Sequence, residues 1–219
     1  MGSNRHSRLP ALNRTRFIEL SPGRQANTFL IVVFALLLLT AAYVVFRQIV
    51  RKDYLENGRL SKKSSFLQLL IFFCFFCFPY LYNPRGWDFF WKFDVAAGEY
   101  FKVLGFILIL LGFLVAFGTM FWFGIRRAFG LTSEELVQSG PYRFSRNPQI
   151  LGGYLLVMGV AVQCPSWFAL GWLLIYAAIC HMMIITEEEH LSLQFGEEYI
   201  QYCSMVPRYL GRKKKIFQH

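Results

Sequence analysis

Long uncharged blocks separated by short charged connections set the pattern of this chain. Gln25 to Phe46, Ser64 to Pro84, Val103 to Ile125 and Ser166 to Thr186 each lack Asp, Glu, Lys and Arg. Each is about as long as the roughly 20 residues that an α-helix needs to cross a bilayer. Gln149 to Gln163 is shorter; at ~1.5 Å per residue it covers about 22 Å, so it is either a tilted short span or half of a re-entrant hairpin. The pattern predicts an all-α polytopic membrane bundle of about five helices, four full and one short. A C-terminal cytosolic helix follows, marked by Phe195, Tyr199 and Tyr202 at helical spacing and stopped by Pro207. The expected divisions are a basic tail over 1–25, three spans over 26–125, and a region over 126–219. That last region holds a polar loop, a helical hairpin over 148–186, the cytosolic helix and a basic tail.

Composition sharpens this. Only 16% of residues are charged while 18% are aromatic, so the charges are confined to the connections rather than spread as on a soluble domain. The first 24 residues are polar and basic, without the apolar core and cleavage site of a signal peptide, so the first apolar run is expected to persist as a helix. Lys and Arg number six between the first two long spans, four in the loop before Pro148 and five after the last span. The opposite connections hold five and three. The excess places the C-terminus and the loop before Pro148 in the cytoplasm, although the five basic residues of the N-terminal tail oppose it. The net charge of +10 is divided among these membrane-flanking loops, which suits anionic lipid headgroups and not nucleic acid.

Several features read as packing or anchoring. The five cysteines form no disulfide framework, and the Cys74–Cys77 pair sits inside a Phe-rich apolar helix as small packing residues. The aromatic and charged stretch from Tyr82 to Tyr100 suits the headgroup zone. Gly105, Gly112, Ala116 and Thr119 share one helical face, and Gly159 lies seven residues beyond Gly152, as close helix approach requires. Gly152 and Gly153 differ by lying in the first turn of the hairpin, where they would let a flat ligand approach the backbone.

Two polar clusters carry the candidate chemistry. Gly140, Pro141, Tyr142 and Arg143 lead into Arg146-Asn147-Pro148, a strong helix start: Asn can cap free amides, and Pro suits the first helical position. The amides and helix dipole there attract an anion, and Arg146 can grip a carboxylate in a fork or, equally, a lipid phosphate. The second cluster, Glu187-Glu188-Glu189, follows the last span directly. It reads either as the solvated start of a cytosolic helix or as a carboxylate site opposing a cation or accepting a proton. His181 lies seven residues before Glu188 and shares its face if the helix runs unbroken; an ionisable residue near the end of a span is a functional candidate. Glu187 and His190 have metal-ligand spacing, but no third ligand accompanies them and no metal is expected.

The two clusters together resemble the integral-membrane methyltransferases, the isoprenylcysteine carboxyl methyltransferases and phospholipid N-methyltransferases. The resemblance rests on Gly140, Pro141, Tyr142, Arg143, Arg146, Asn147, Pro148 and Gly152. After the hairpin it continues with Glu187, Glu188, Leu191, Phe195, Gly196, Tyr199, Tyr202, Val206, Pro207 and Arg208. It covers roughly 138 to 210. It implies S-adenosylmethionine as cofactor, bound at the cytosolic face by Gly140, Tyr142, Arg146, Asn147, Pro148, Gly152, Glu187 and Glu188. It also implies methyl transfer to a membrane lipid or lipid-linked acceptor, either an amine headgroup or a prenylcysteine-type carboxylate, with Glu188 and Arg146 as the catalytic pair. Arg208 and His181 are candidates for substrate contact. Many family members carry His where this chain has Asn147, and an aromatic where it has Ile150. A sterol-reductase-like oxidoreductase using a reduced nicotinamide and a non-catalytic membrane scaffold stay open as alternatives.

Overall fold

In the computed structural model, residues 22–82, 98–123, 136–163 and 165–210 are described. The basic N-terminal tail, most of the aromatic stretch after Tyr82, Arg126 and Arg127, and the Lys-rich C-terminus lie outside them. Within the described residues every regular element is helical. Helix α1 (Pro22–Tyr43) passes through a π-type turn (Val44–Val50) into α2 (Arg51–Asn57). Helices α3 (Lys62–Tyr82) and α4 (Glu99–Phe123) follow. A short 3-10 turn (Gly140–Arg143) precedes α5 (Pro148–Gln163), α6 (Trp167–Phe195) and α7 (Glu197–Met205). Four helices are long and apolar enough to cross a membrane, Thr28–Asn57, Lys62–Tyr80, Glu99–Trp122 and Trp167–Phe195, and Pro148–Gln163 is the shorter apolar one. This is the expected all-α membrane bundle.

Membrane helices gain little from apolar burial, because lipid is as apolar as a neighbouring helix; close van der Waals contact must hold them instead. The α4–α5 pair shows how. Positions seven apart lie on one face of a helix, two turns along. A Cβ on Gly105 would stand 2.6 Å from the Gly159 carbonyl oxygen, one on Gly112 2.7 Å from that of Gly152, and one on Gly152 2.5 Å from the Ala116 nitrogen. The helices run antiparallel with backbone against backbone, and Thr119 is buried on the same face. Gly152 and Gly153 therefore need correction from the ligand-clearing role expected of them. Gly152 is buried against α4, and the space beside Gly153 is filled by the Tyr176 hydroxyl.

The remaining helices pack through large side chains. Phe75 of α3 stacks on Trp172 of α6 at 5.0 Å and 8°, and the indole nitrogen donates to the Phe75 carbonyl at 3.2 Å. Phe46, Phe78, Ile179 and Cys180 belong to the same buried cluster. Helix α6 starts at Ser166, whose Oγ accepts the Ala169 amide. With 29 residues it is about 43 Å long, well beyond the ~30 Å hydrocarbon core. Glu187, twenty residues after Trp167, thus lies at the headgroup boundary, and the last turns project past it. Gly196, at φ +52, then turns the chain into α7, a conformation that residues with a Cβ rarely adopt.

Gly152→Ala should destabilise the bundle by about 1–3 kcal/mol, because backbone and not a flexible side chain stands in the way. Gly171→Ala, with nothing within 4 Å of the added Cβ, should be neutral or slightly stabilising. Thermal unfolding of both variants in one detergent checks the contrast.

Candidate functional site

The polar ends of α2, α5 and α6 meet at one end of the bundle. The loop before α5 is shaped from Gly140, which has φ +58 and lies so close to the Trp122 ring that a Cβ would stand 2.7 Å from it. The 3-10 turn then presents Tyr142, whose carbonyl accepts the Tyr202 hydroxyl at 2.8 Å. Ser145, buried, accepts the Asn147 amide at 3.0 Å. Pro148 opens α5 and is buried, and the Asn147 carbonyl accepts the Leu151 amide at 3.1 Å. The Asn147 side chain donates through Nδ2 to the Arg208 carbonyl at 3.0 Å, and the Arg146 amide donates to the Pro207 carbonyl, also at 3.0 Å. The segment after α7 is thereby stitched across the start of the hairpin.

At the centre lies Glu188. Arg146 Nη1 approaches one of its oxygens at 3.0 Å, and Arg208 grips both, Nε at 3.1 and 3.0 Å and Nη2 at 2.6 Å. The Arg146 and Glu188 side chains are only 10% and 13% exposed. Two motifs more than forty residues apart in sequence converge in this pair. Arg146 also reaches Tyr199 and Cys203 on α7. Its Nε is buried and has no hydrogen-bond partner among the described residues. Burial, and then the Glu188 charge, push the Tyr199 phenol above its ordinary pKa; burial does the same to Tyr202. Both stay neutral at physiological pH, Tyr199 accepting from Arg146 and Tyr202 donating to Tyr142. Bonding to Glu188 likewise holds the Arg208 guanidinium more firmly charged.

Glu187, one residue away and about 100° around the helix, behaves differently. It is exposed, and it makes no ion pair among the described residues. It acts electrostatically on Tyr142, whose phenol is pushed up first by burial and then by this charge, so these two candidates are neighbours. His181 shares a face with Glu188 along the unbroken α6 and meets the Tyr209 hydroxyl at 3.1 Å. It is thus tied to the same C-terminal segment as Arg208. Of the expected site residues, Gly152 stands apart from this convergence.

Residues 100–198 match the phospholipid methyltransferase family. The resemblance to integral-membrane methyltransferases drawn from the two motifs holds, and the match supports methyl transfer on lipid as the class of chemistry. No match is found among curated proteins or among solved structures. The matched region takes in α4, α5, α6, Arg146 and Glu188, but neither Arg208 nor α1 to α3.

Those outer parts nevertheless complete the site. The π-type turn carries Arg47, which donates to Glu189 at 2.8 Å and to Thr186 at 3.1 Å; Arg51 donates to Glu189 at 2.7 Å. Tyr54 stacks on His190, with ring centroids 4.1 Å apart and planes at 6°. The sequence does show Arg47 and Arg51 four apart, hence on one helical face, but not which acid they meet. Between α2, α6 and α7 lies a cleft of about 690 Å³, within the size of ordinary ligand pockets, with Arg146, Glu188 and Arg208 on its wall.

Glu188→Ala should destabilise the protein by about 3–5 kcal/mol, because it leaves a buried guanidinium unpaired. Glu189→Ala, at an acid with 37% side-chain exposure, should cost no more than about 1 kcal/mol. Detergent melting curves distinguish the two. Loss of activity in Glu188→Ala is interpretable only beside that measurement.

Proposed function

We propose that this protein is an S-adenosylmethionine-dependent methyltransferase acting on a membrane-embedded lipid or lipid-linked acceptor at the cytoplasmic face. The observation that carries the reading is the buried Arg146–Glu188 pair, which joins the two family motifs beside a cleft at headgroup depth. The cytoplasmic assignment rests on the excess of Lys and Arg in the connections at this end.

The residues fit the cofactor by their donor set. Arg146 has a donor with no partner among the described residues, suited to a carboxylate. Exposed Glu187 is suited to a cationic group, and Tyr142, beside it, offers an aromatic face. Asn147, Pro148 and Gly140 shape the loop that presents them; Gly152 supports it by fixing α5 on α4. When bound, S-adenosylmethionine supplies an electrophilic methyl group.

The chain's own contribution is alignment and exclusion of water. Glu188 has both oxygens engaged by guanidinium N–H groups, which makes it the anchor that positions Arg146 and Arg208. Glu187, which makes no ion pair among the described residues, is the carboxylate that would accept a proton from an amine acceptor. A carboxylate acceptor needs no base, so dependence on Glu187 reports the acceptor's chemistry.

Calorimetry on detergent-purified protein should show saturable S-adenosylmethionine binding, undisturbed by a reduced nicotinamide. Binding should weaken at least tenfold, about 1.4 kcal/mol, in Arg146→Ala. Glu187→Gln should retain the wild-type melting temperature yet slow transfer to an amine lipid by about 10²-fold or more. Absence of binding by well-folded wild-type protein would defeat the reading.

A further inference from the structure

The cleft beside Glu188 has an asymmetry that the family match does not account for. Its acids, Glu188 and Glu189, are both already covered, the first by Arg146 and Arg208, the second by Arg47 and Arg51. Its wall carries three guanidinium groups, Arg51, Arg146 and Arg208, against those two carboxylates, and Arg47 adds a fourth cation behind Glu189. Cationic N–H groups are therefore in surplus.

Arg51 is the one best placed to use that surplus. Arg47 by itself holds Glu189 at 2.8 Å and Thr186 at 3.1 Å. Arg51 adds only an Nε contact, keeps its side chain 47% exposed, and makes no described hydrogen bond through its terminal nitrogens. Its position also matters: it lies about one helical turn beyond the ~29 Å that separate Thr28 from Arg47, at the level of the headgroups.

The rim is apolar. Leu55 of α2, Leu193 of α6 and Ile200 of α7 border the cleft and are 55%, 70% and 55% exposed. A soluble anion would meet the guanidinium groups but leave these side chains uncovered. An anion carrying a hydrocarbon chain satisfies both.

We infer that the α1–α2 helix, outside the region that matches the family, forms the headgroup wall of this cleft, and that Arg51 selects an amphiphile bearing a phosphate or carboxylate group. This rests on the reading of the protein as a lipid methyltransferase for its role in the reaction, but not for the binding itself. Arg51 is then a specificity-determining residue of the acceptor site, gripping the anionic part of the acceptor while its tail lies along Leu55, Leu193 and Ile200.

The test is equilibrium binding to the full chain in non-ionic detergent micelles, with phosphatidic acid, the uncharged diacylglycerol and inorganic phosphate as probes. Phosphatidic acid should bind at least tenfold more tightly than diacylglycerol, and inorganic phosphate should not displace it at equal concentration. Arg51→Ala should lose most of that preference, and Arg51→Lys should restore part of it. Because Arg47 still holds Glu189, Arg51→Ala should keep its melting temperature and its affinity for S-adenosylmethionine. Ile200→Ser should weaken phosphatidic acid at least threefold without changing the effect of inorganic phosphate. Unchanged phosphatidic acid binding in Arg51→Ala would overturn the inference, and so would full competition by inorganic phosphate. If S-adenosylmethionine binds and Arg51 does not matter, the inference fails alone; if Arg51 matters and S-adenosylmethionine does not bind, the methyltransferase reading fails alone.

Discussion

A single carboxylate shared by two guanidinium groups governs the polar end of this protein. Glu188 lies where α6 leaves the bilayer, and an unpaired charge buried there would be expensive. Arg146 approaches it from the start of α5, and Arg208 from the segment after α7. The hairpin, the loop before it and the C-terminal segment are thus fixed by one ion cluster. The bonds from the Arg146 amide to the Pro207 carbonyl and from the Asn147 side chain to the Arg208 carbonyl follow from the same closure. It also divides labour between neighbouring acids: Glu188 is held, and Glu187 is left accessible on the adjacent face.

The apolar part of the molecule answers a different constraint. Inside lipid, burial of hydrocarbon gives helices little reason to associate, so contact distance decides. Gly105, Gly112, Gly152 and Gly159 bring α4 and α5 to backbone contact and set where α5 begins relative to α4. The aromatic stack of Phe75 on Trp172 does the corresponding work between α3 and α6. Together these place the loop from Gly140 to Asn147 beside the end of α6. The N-terminal helix joins at the same level through Arg47, Arg51 and Tyr54, so helices outside the matched region still border the site.

Much of the site was legible because its members sit in two short motifs. Gly140, Tyr142, Arg146 and Asn147 lie in one short segment, and the hairpin returns Glu187 and Glu188 to the same end. Where the reading went astray, local spacing had two physical uses. Gly152 beside a polar loop looks like room for a ligand, yet the same absence of a side chain serves Ala116 of α4. Arg208 was a candidate for substrate contact and not a partner of Glu188, because its bond to that residue depends on the chain turning back after Gly196. Nothing in the order of residues names Glu189 as the partner of Arg47, 142 positions away.

The sequence by itself determined the class: uncharged blocks of bilayer length admit only membrane helices, since backbone polar groups in lipid must be satisfied within the segment. It also determined the candidate chemistry, because motif order and spacing are properties of the chain. Which glutamate is fastened and which has no ion-pair partner among the described residues was decided by tertiary structure alone. Two adjacent residues on a helix face directions about 100° apart, and only the placement of the surrounding helices gives one direction two guanidinium partners and the other an accessible surface.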